Sequence, residues 1–378
     1  MPARPPRLIR HISKAFFPHL ILVFFSFAAT AQTPVTKALG FNPDTSINGL
    51  FLYKNGNRGN TSDAQEPNGP SLQEAELQFF SDVDPYSKLT ALFSVHQESG
   101  EWKFEPEEFF AETLSVPGVI LKAGKFKAAF GKHNLLHTHA YAFIDAPITN
   151  TVLLGDEGLN DVGVSAASLI PVSWFSEVTF QILSGRAEGQ DYFNSKSPND
   201  NVAIAHFKNL WDLTDDLTAE IGASGVAGKN EFTVNNQLQS GKTIFTGLDL
   251  TFKWRPSVGG KYRALIWSTE YIGRQIERPG ATKNDGHGIA TWLQYQFSER
   301  WWAQARGEYL KVTDSDSVDP LPIAPHQRKY SALVGFFPSE FSGFRLQYHY
   351  LDDGRATPEQ RLMLQGNFTI GAHPAHAY

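Results

Sequence analysis

The chain has no cysteine and only two methionines in 378 residues, which excludes a disulfide framework and any thiolate-ligated zinc or iron–sulfur centre. Strong charge of one sign is also missing. Lysine and arginine number 33 against 39 acids, a net −6, and no long basic run is present, so nucleic acid is excluded as a partner. A mean hydropathy of −0.29 excludes a bundle of membrane helices. It does not exclude a transmembrane barrel, whose strands need lipid-facing residues only at alternate positions. There is no G-x-S-x-G motif and no visible set of nucleophile, base and orienter, so no enzyme is expected.

The one apolar run stands at the start. Residues 1–14 carry Arg4, Arg7, Arg10 and Lys14 without an acid, then Ala15 to Ala29 is largely apolar and closes on Ala29-Thr30-Ala31. A basic region, a short apolar core and small residues at −3 and −1 predict a secretory signal peptide over 1–31. The run is too short to cross about 30 Å of hydrocarbon as a helix. A short periplasmic segment is expected over 32–43, and one barrel over 44–378.

From residue 44 onward the dominant pattern has period two. Ile244, Thr246, Leu248, Leu250, Phe252 and Trp254 alternate with Thr243, Phe245, Gly247, Asp249, Thr251 and Lys253, and similar segments recur along the chain. The template predicts about sixteen strands, including 107–114, 119–127, 217–227 and 243–254. Long connections (55–71, 99–106, 128–159, 185–200, 228–242, 276–286, 313–328, 352–360) alternate with short turns such as Asp84-Pro85 and Pro117-Gly118. That asymmetry predicts an all-β, antiparallel transmembrane barrel with tight periplasmic turns and long outer loops. Trp174, Trp211, Trp254, Trp301 and Trp302 flank short turns, where an interfacial girdle belongs. The segment 371–378, broken by Pro374, is expected to be a tail folded into the lumen.

The third long connection is too apolar for open water: Leu135, Leu136, Tyr141, Phe143, Ile144, Leu153 and Leu154 all fall within it. It is expected to fold against the inner wall and narrow the lumen. Candidate constriction residues are Lys122, Lys125, Lys127, Lys132, His133, His137, His139, Asp145, Asp156, Glu157 and Asp161. Candidate lining residues elsewhere are Glu74, Glu76, Arg263, Glu270, Arg306, Glu308 and Arg345, whose mixed signs set up a transverse field. The spacing H-x-x-x-H-x-H places His137 and His139 as candidate zinc or copper ligands if they converge. No cofactor is otherwise implied.

These features resemble the general porins of Gram-negative bacteria. Leu121-Lys-Ala-Gly-Lys-Phe-Lys with Phe130-Gly131 is similar to the strand-to-loop passage of phosphate-selective porins. Phe41-Asn-Pro-Asp, Gly155-Asp-Glu-Gly-Leu-Asn-Asp and the Gly371-Ala-His-Pro-Ala-His end resemble proteins labelled zinc-regulated TonB-dependent outer-membrane receptors, although residues 32–43 leave no room for a plug domain. The resemblance implies an outer-membrane channel for passive diffusion of small hydrophilic solutes. Its partners would be outer-membrane lipid and lipopolysaccharide, the barrel-assembly machinery and two further copies in a homotrimer. A zinc-linked uptake channel and a plugged scaffold barrel are the alternatives.

Overall fold

The computed structural model describes residues 43–59, 67–98, 101–186, 192–195, 197, 199–234, 236–277, 284–313 and 325–371. The expected signal peptide, nearly all of segment 32–43 and tail residues 372–378 lie outside the described residues.

Sixteen antiparallel strands close into one barrel. The first five are β1 (Asp44–Gly56), β2 (Gly69–Asp84), β3 (Ser87–Glu98), β4 (Glu101–Thr113) and β5 (Val119–Lys127). After the long connection come β6 (Asn160–Leu169), β7 (Phe175–Leu183), β8 (Val202–Thr214), β9 (Leu217–Val234) and β10 (Gln237–Trp254). The remainder are β11 (Ala264–Ile276), β12 (Asn284–Ser298), β13 (Trp301–Thr313), β14 (His326–Ser339), β15 (Ser342–Asp352) and β16 (Glu359–Gly371). The seam joins β1 to β16 from Ser46 opposite Gly371 to Gly56 opposite Arg361, so no strand edge is left open.

Alternation assigns the two faces. Along β11, Ile266, Ser268, Glu270, Ile272 and Arg274 are buried inside, while Trp267 and Tyr271 are exposed outside. Exposed aromatics gather near the turn end (Trp174, Phe175, Phe297, Trp301, Phe341) and towards the loop end (Tyr53, Trp102, Phe104, Tyr330). Two such belts flanking an apolar band are what a barrel needs to sit in a bilayer.

Two connections expected to be long are short. Strands β3 and β4 are separated by residues 99–100 alone, because β4 begins at Glu101 and runs through Pro106. Strands β9 and β10 pair out to Val234 and Gln237. Beyond the bilayer neither face must be apolar, so Gly228, Lys229 and Asn230 belong to a strand without showing its pattern.

Two β-bulges shape the inner wall. Leu50 pairs with Glu74 and Phe51 with Leu72, so Gln73 is the extra residue. Leu92 pairs with Glu108 and Phe93 with Pro106, so Glu107 is extra. A bulge lets two successive side chains reach the same face, and Pro106 is tolerated beside one.

The connection 128–159 packs against the inner wall. Phe130, Ile148, Leu153, Leu154 and Leu159 pack with wall residues Phe126, Leu183, Ile204, Phe245, Ile272 and Leu310. Phe143 and Ile144 pack with Leu52, Trp292, Leu333 and Met363 in a second cluster. Fully burying each large apolar side chain contributes about 1.5–3 kcal/mol, enough to hold the loop inside.

Candidate functional site

The loop leaves the wall at Lys127 and turns inward through Gly131, whose φ of +59° suits glycine. A Cβ there would collide with the Glu270 carboxylate. The close approach lets the Gly131 N–H donate to Ser224 Oγ at 2.9 Å and the His133 N–H to Glu270 at 3.2 Å. Lys132 meanwhile reaches Glu220 at 3.3 Å and Thr251 at 3.2 Å.

Next the loop meets an acidic wall built by β2 and β4. His137 Nδ1 lies 2.8 Å from Glu107 and Nε2 lies 3.0 Å from Glu108, a bracket made possible by the bulge. Thr138 donates to Glu74 at 2.8 Å, and His139 Nδ1 sits 3.1 Å from Glu76. Burial works against charge on His137, but the two carboxylates outweigh it and hold the imidazolium up to about 10. The neighbouring His133 behaves oppositely. Burial, reinforced by Arg306 and Lys127, pushes it down to about 3, and its ring packs on Tyr141 at 4.4 Å.

The far side is a basic wall. Asp145 receives Arg306 at 2.7 Å, Lys329 at 2.5 Å and Gln347 at 2.7 Å, with His349 at 3.5 Å. Desolvation opposes its charge, yet Lys329 and Arg306 hold the carboxyl well below the usual range. Arg345 donates to the Tyr141 carbonyl at 2.6 Å. Glu308 accepts the Ile148 N–H, at the start of helix α1 (Ile148–Leu154), at 2.5 Å. His137 and His139 thus dock on acids and Asp145 on bases, so wall charge and loop charge are complementary across the lumen.

The structure sorts the expected residues. Glu74, Glu76, Glu270, Arg306, Glu308 and Arg345 face inward and are buried. Lys122 also points inward, with its ammonium over the Phe110 ring at 4.0 Å. Lys127 lines a recess with His133, Tyr141, Asp156 and Glu157. Three expectations are corrected. Lys125 stands opposite the exposed Phe109 on the outer face, bonded to the Pro106 carbonyl at 2.7 Å. Arg263 is exposed just before β11, out of phase with the inward residues. Asp161 accepts from Ser184 at 2.8 Å and the Gly185 N–H at 2.7 Å, so it tethers the start of the β7–β8 connection rather than the constriction.

Sequence reasoning missed Glu107, Glu108, Gln73, Lys329, Gln347 and His349. The last two alternate with Leu346, Tyr348 and Tyr350, so strand parity could have found them. The first three needed knowledge of the bulges.

No family model matches the chain. An uncharacterized protein of Aquifex aeolicus (strain VF5) is 28% identical over 403 residues, covering 97% of this chain and 81% of that one. Among solved structures, the anion-selective porin from Comamonas acidovorans aligns over 87% of this chain and 100% of its own, with a TM-score of 0.57 at 9% identity. OmpT, an outer membrane protein of Vibrio cholerae solved in trimer form, aligns over 87% and 99% with a TM-score of 0.55 at 10% identity. The outer membrane channel DcaP of Acinetobacter baumannii aligns over 87% and 96% with a TM-score of 0.53 at 11% identity. The fold is that of a porin-like outer-membrane barrel. Identities this low speak to the fold alone, and the loop chemistry is read from this chain's own residues.

Proposed function

We propose that the protein is an outer-membrane channel for passive diffusion of small hydrophilic solutes or ions, and that loop 128–159 sets what passes. The observation that carries this is the docking of the loop between an acidic wall (Glu74, Glu76, Glu107, Glu108) and a basic one (Arg306, Lys329, Arg345). A solute moving past it crosses a fixed field as well as a narrowed section, and selectivity follows from size and charge arrangement.

One observation favours a second reading, a barrel closed by its own loop. The loop bonds to strands on every side of the lumen, from β2 and β4 through β9 and β11 to β13, β14 and β15. Planar-bilayer conductance of the protein extracted from membranes decides between them. Discrete ohmic steps in KCl are expected of the channel. A folded barrel that inserts but stays silent would favour the closed form.

A further inference from the structure

Within the acidic wall, two carboxylates lack a lysine or arginine partner. His137 serves Glu107 and Glu108 with both ring nitrogens, leaving neither nitrogen free for a metal. Glu74 and Glu76 stand two residues apart on β2, hence on one face. Among the described residues neither has a lysine or arginine within ion-pair distance; Glu76 meets only the imidazoles of His137 at 3.7 Å and His139 at 3.1 Å. Both are deeply buried, Glu76 at 3% exposure and Glu74 at 9%. Glu74 Oε2 accepts from Thr138, but Oε1 is buried with no hydrogen-bond partner at all. A carboxylate buried in this way is paired, protonated or bound to a metal.

One donor atom each from Glu74, Glu76 and His139 lie within 4.8 Å of one another. We infer that Glu74, Glu76 and His139 form a binding site for a first-row divalent cation, which clamps the inward loop to β2. With both carboxylates ionised and the imidazole neutral, the three donors carry a charge of about −2, which one such ion neutralises. Donor–metal distances of about 2.0–2.2 Å require the three atoms to close by an ångström or less, within side-chain reach. Two oxygens and one nitrogen suit Zn²⁺ or Mn²⁺, with water completing the shell, whereas Mg²⁺ prefers oxygen alone. The site does not depend on whether solutes pass through the barrel, because binding is read without conduction.

The test is calorimetric titration of the chelator-stripped barrel in detergent with ZnCl₂, MnCl₂ and MgCl₂. One Zn²⁺ or Mn²⁺ per chain is expected to bind saturably, with Mg²⁺ at least tenfold weaker. Glu74→Gln, which keeps the side chain's shape, and His139→Ala should each weaken Zn²⁺ at least tenfold. His287→Ala, on the outer face beside Tyr271, should change nothing. Absence of saturable binding by wild-type protein of folded, heat-modifiable mobility would overturn the site. So would undiminished binding by the folded Glu74→Gln/His139→Ala double variant.

Discussion

Asp145 of the inward loop and Arg306 of β13 lie 2.7 Å apart, and Arg306 also donates to the Asp145 carbonyl at 2.8 Å. This two-point grip, shared with Lys329, is the main polar anchor of the loop on the basic wall. Asp145→Asn would remove the acid that Arg306 and Lys329 share, leaving Arg306 with Glu308 alone at 2.7 Å. Removing one partner of a buried pair costs about 3–5 kcal/mol, reduced here because the Asp145 side chain is 25% exposed. The expected outcome is a lower melting temperature together with a reversal potential shifted towards anions in a KCl gradient.

Shortening the loop should act on size rather than charge. Deleting about ten residues within 132–147 removes the segment that bridges the two walls. Single-channel conductance should rise severalfold if this segment narrows the lumen. An unchanged step size in a folded variant would show that the segment is not the constriction.

The lysines separate by face. Lys329→Glu reverses a charge on the lumen wall and should move selectivity towards cations. Lys125→Glu adds an acid to the outer face and should leave the reversal potential where it is. Measuring both in one salt gradient tests the assignment of inside and outside directly.

His133 makes the docked loop sensitive to acid. Its folded pKa, about 3, lies below the unfolded value of about 6.5, so the neutral ring stabilises the fold. That contribution is full above about pH 6.5 and is lost as pH falls towards 3, by a few kcal/mol. His133→Phe keeps the ring on Tyr141 and removes the titration. Melting temperature should therefore fall less steeply between pH 6.5 and 4 in the variant than in the wild type.

How much was legible in the sequence depended on whether alternation was local. Strand β5 over 119–127 and the connection 128–159 were predicted with their observed bounds, because Phe126 and the apolar loop residues announce the turn inward. A period of two puts Lys125 and Lys127 on the face opposite Lys122; Lys125 stays outside, whereas Lys127 lines the inner recess because β5 ends there and the chain turns inward. Glu107 and Glu108 look like a strand with one acid on each side. Only the extra residue opposite Leu92 and Phe93 brings both to His137, and such a bulge depends on partner strands. Asp161 and Arg263 had the right residue type in the wrong position, since a charge next to a strand end says nothing about which neighbour it serves.

The seam between β1 and β16 has a kinetic consequence. Its partners, such as Asn48 and Thr369, are more than three hundred residues apart, so the cylinder cannot shut until β16 has been made and brought beside β1. Until then two unpaired edges remain open to other chains. A copy in which β16 is missing is thus an open ribbon with two hydrogen-bonding edges, and closure turns on this one zipper.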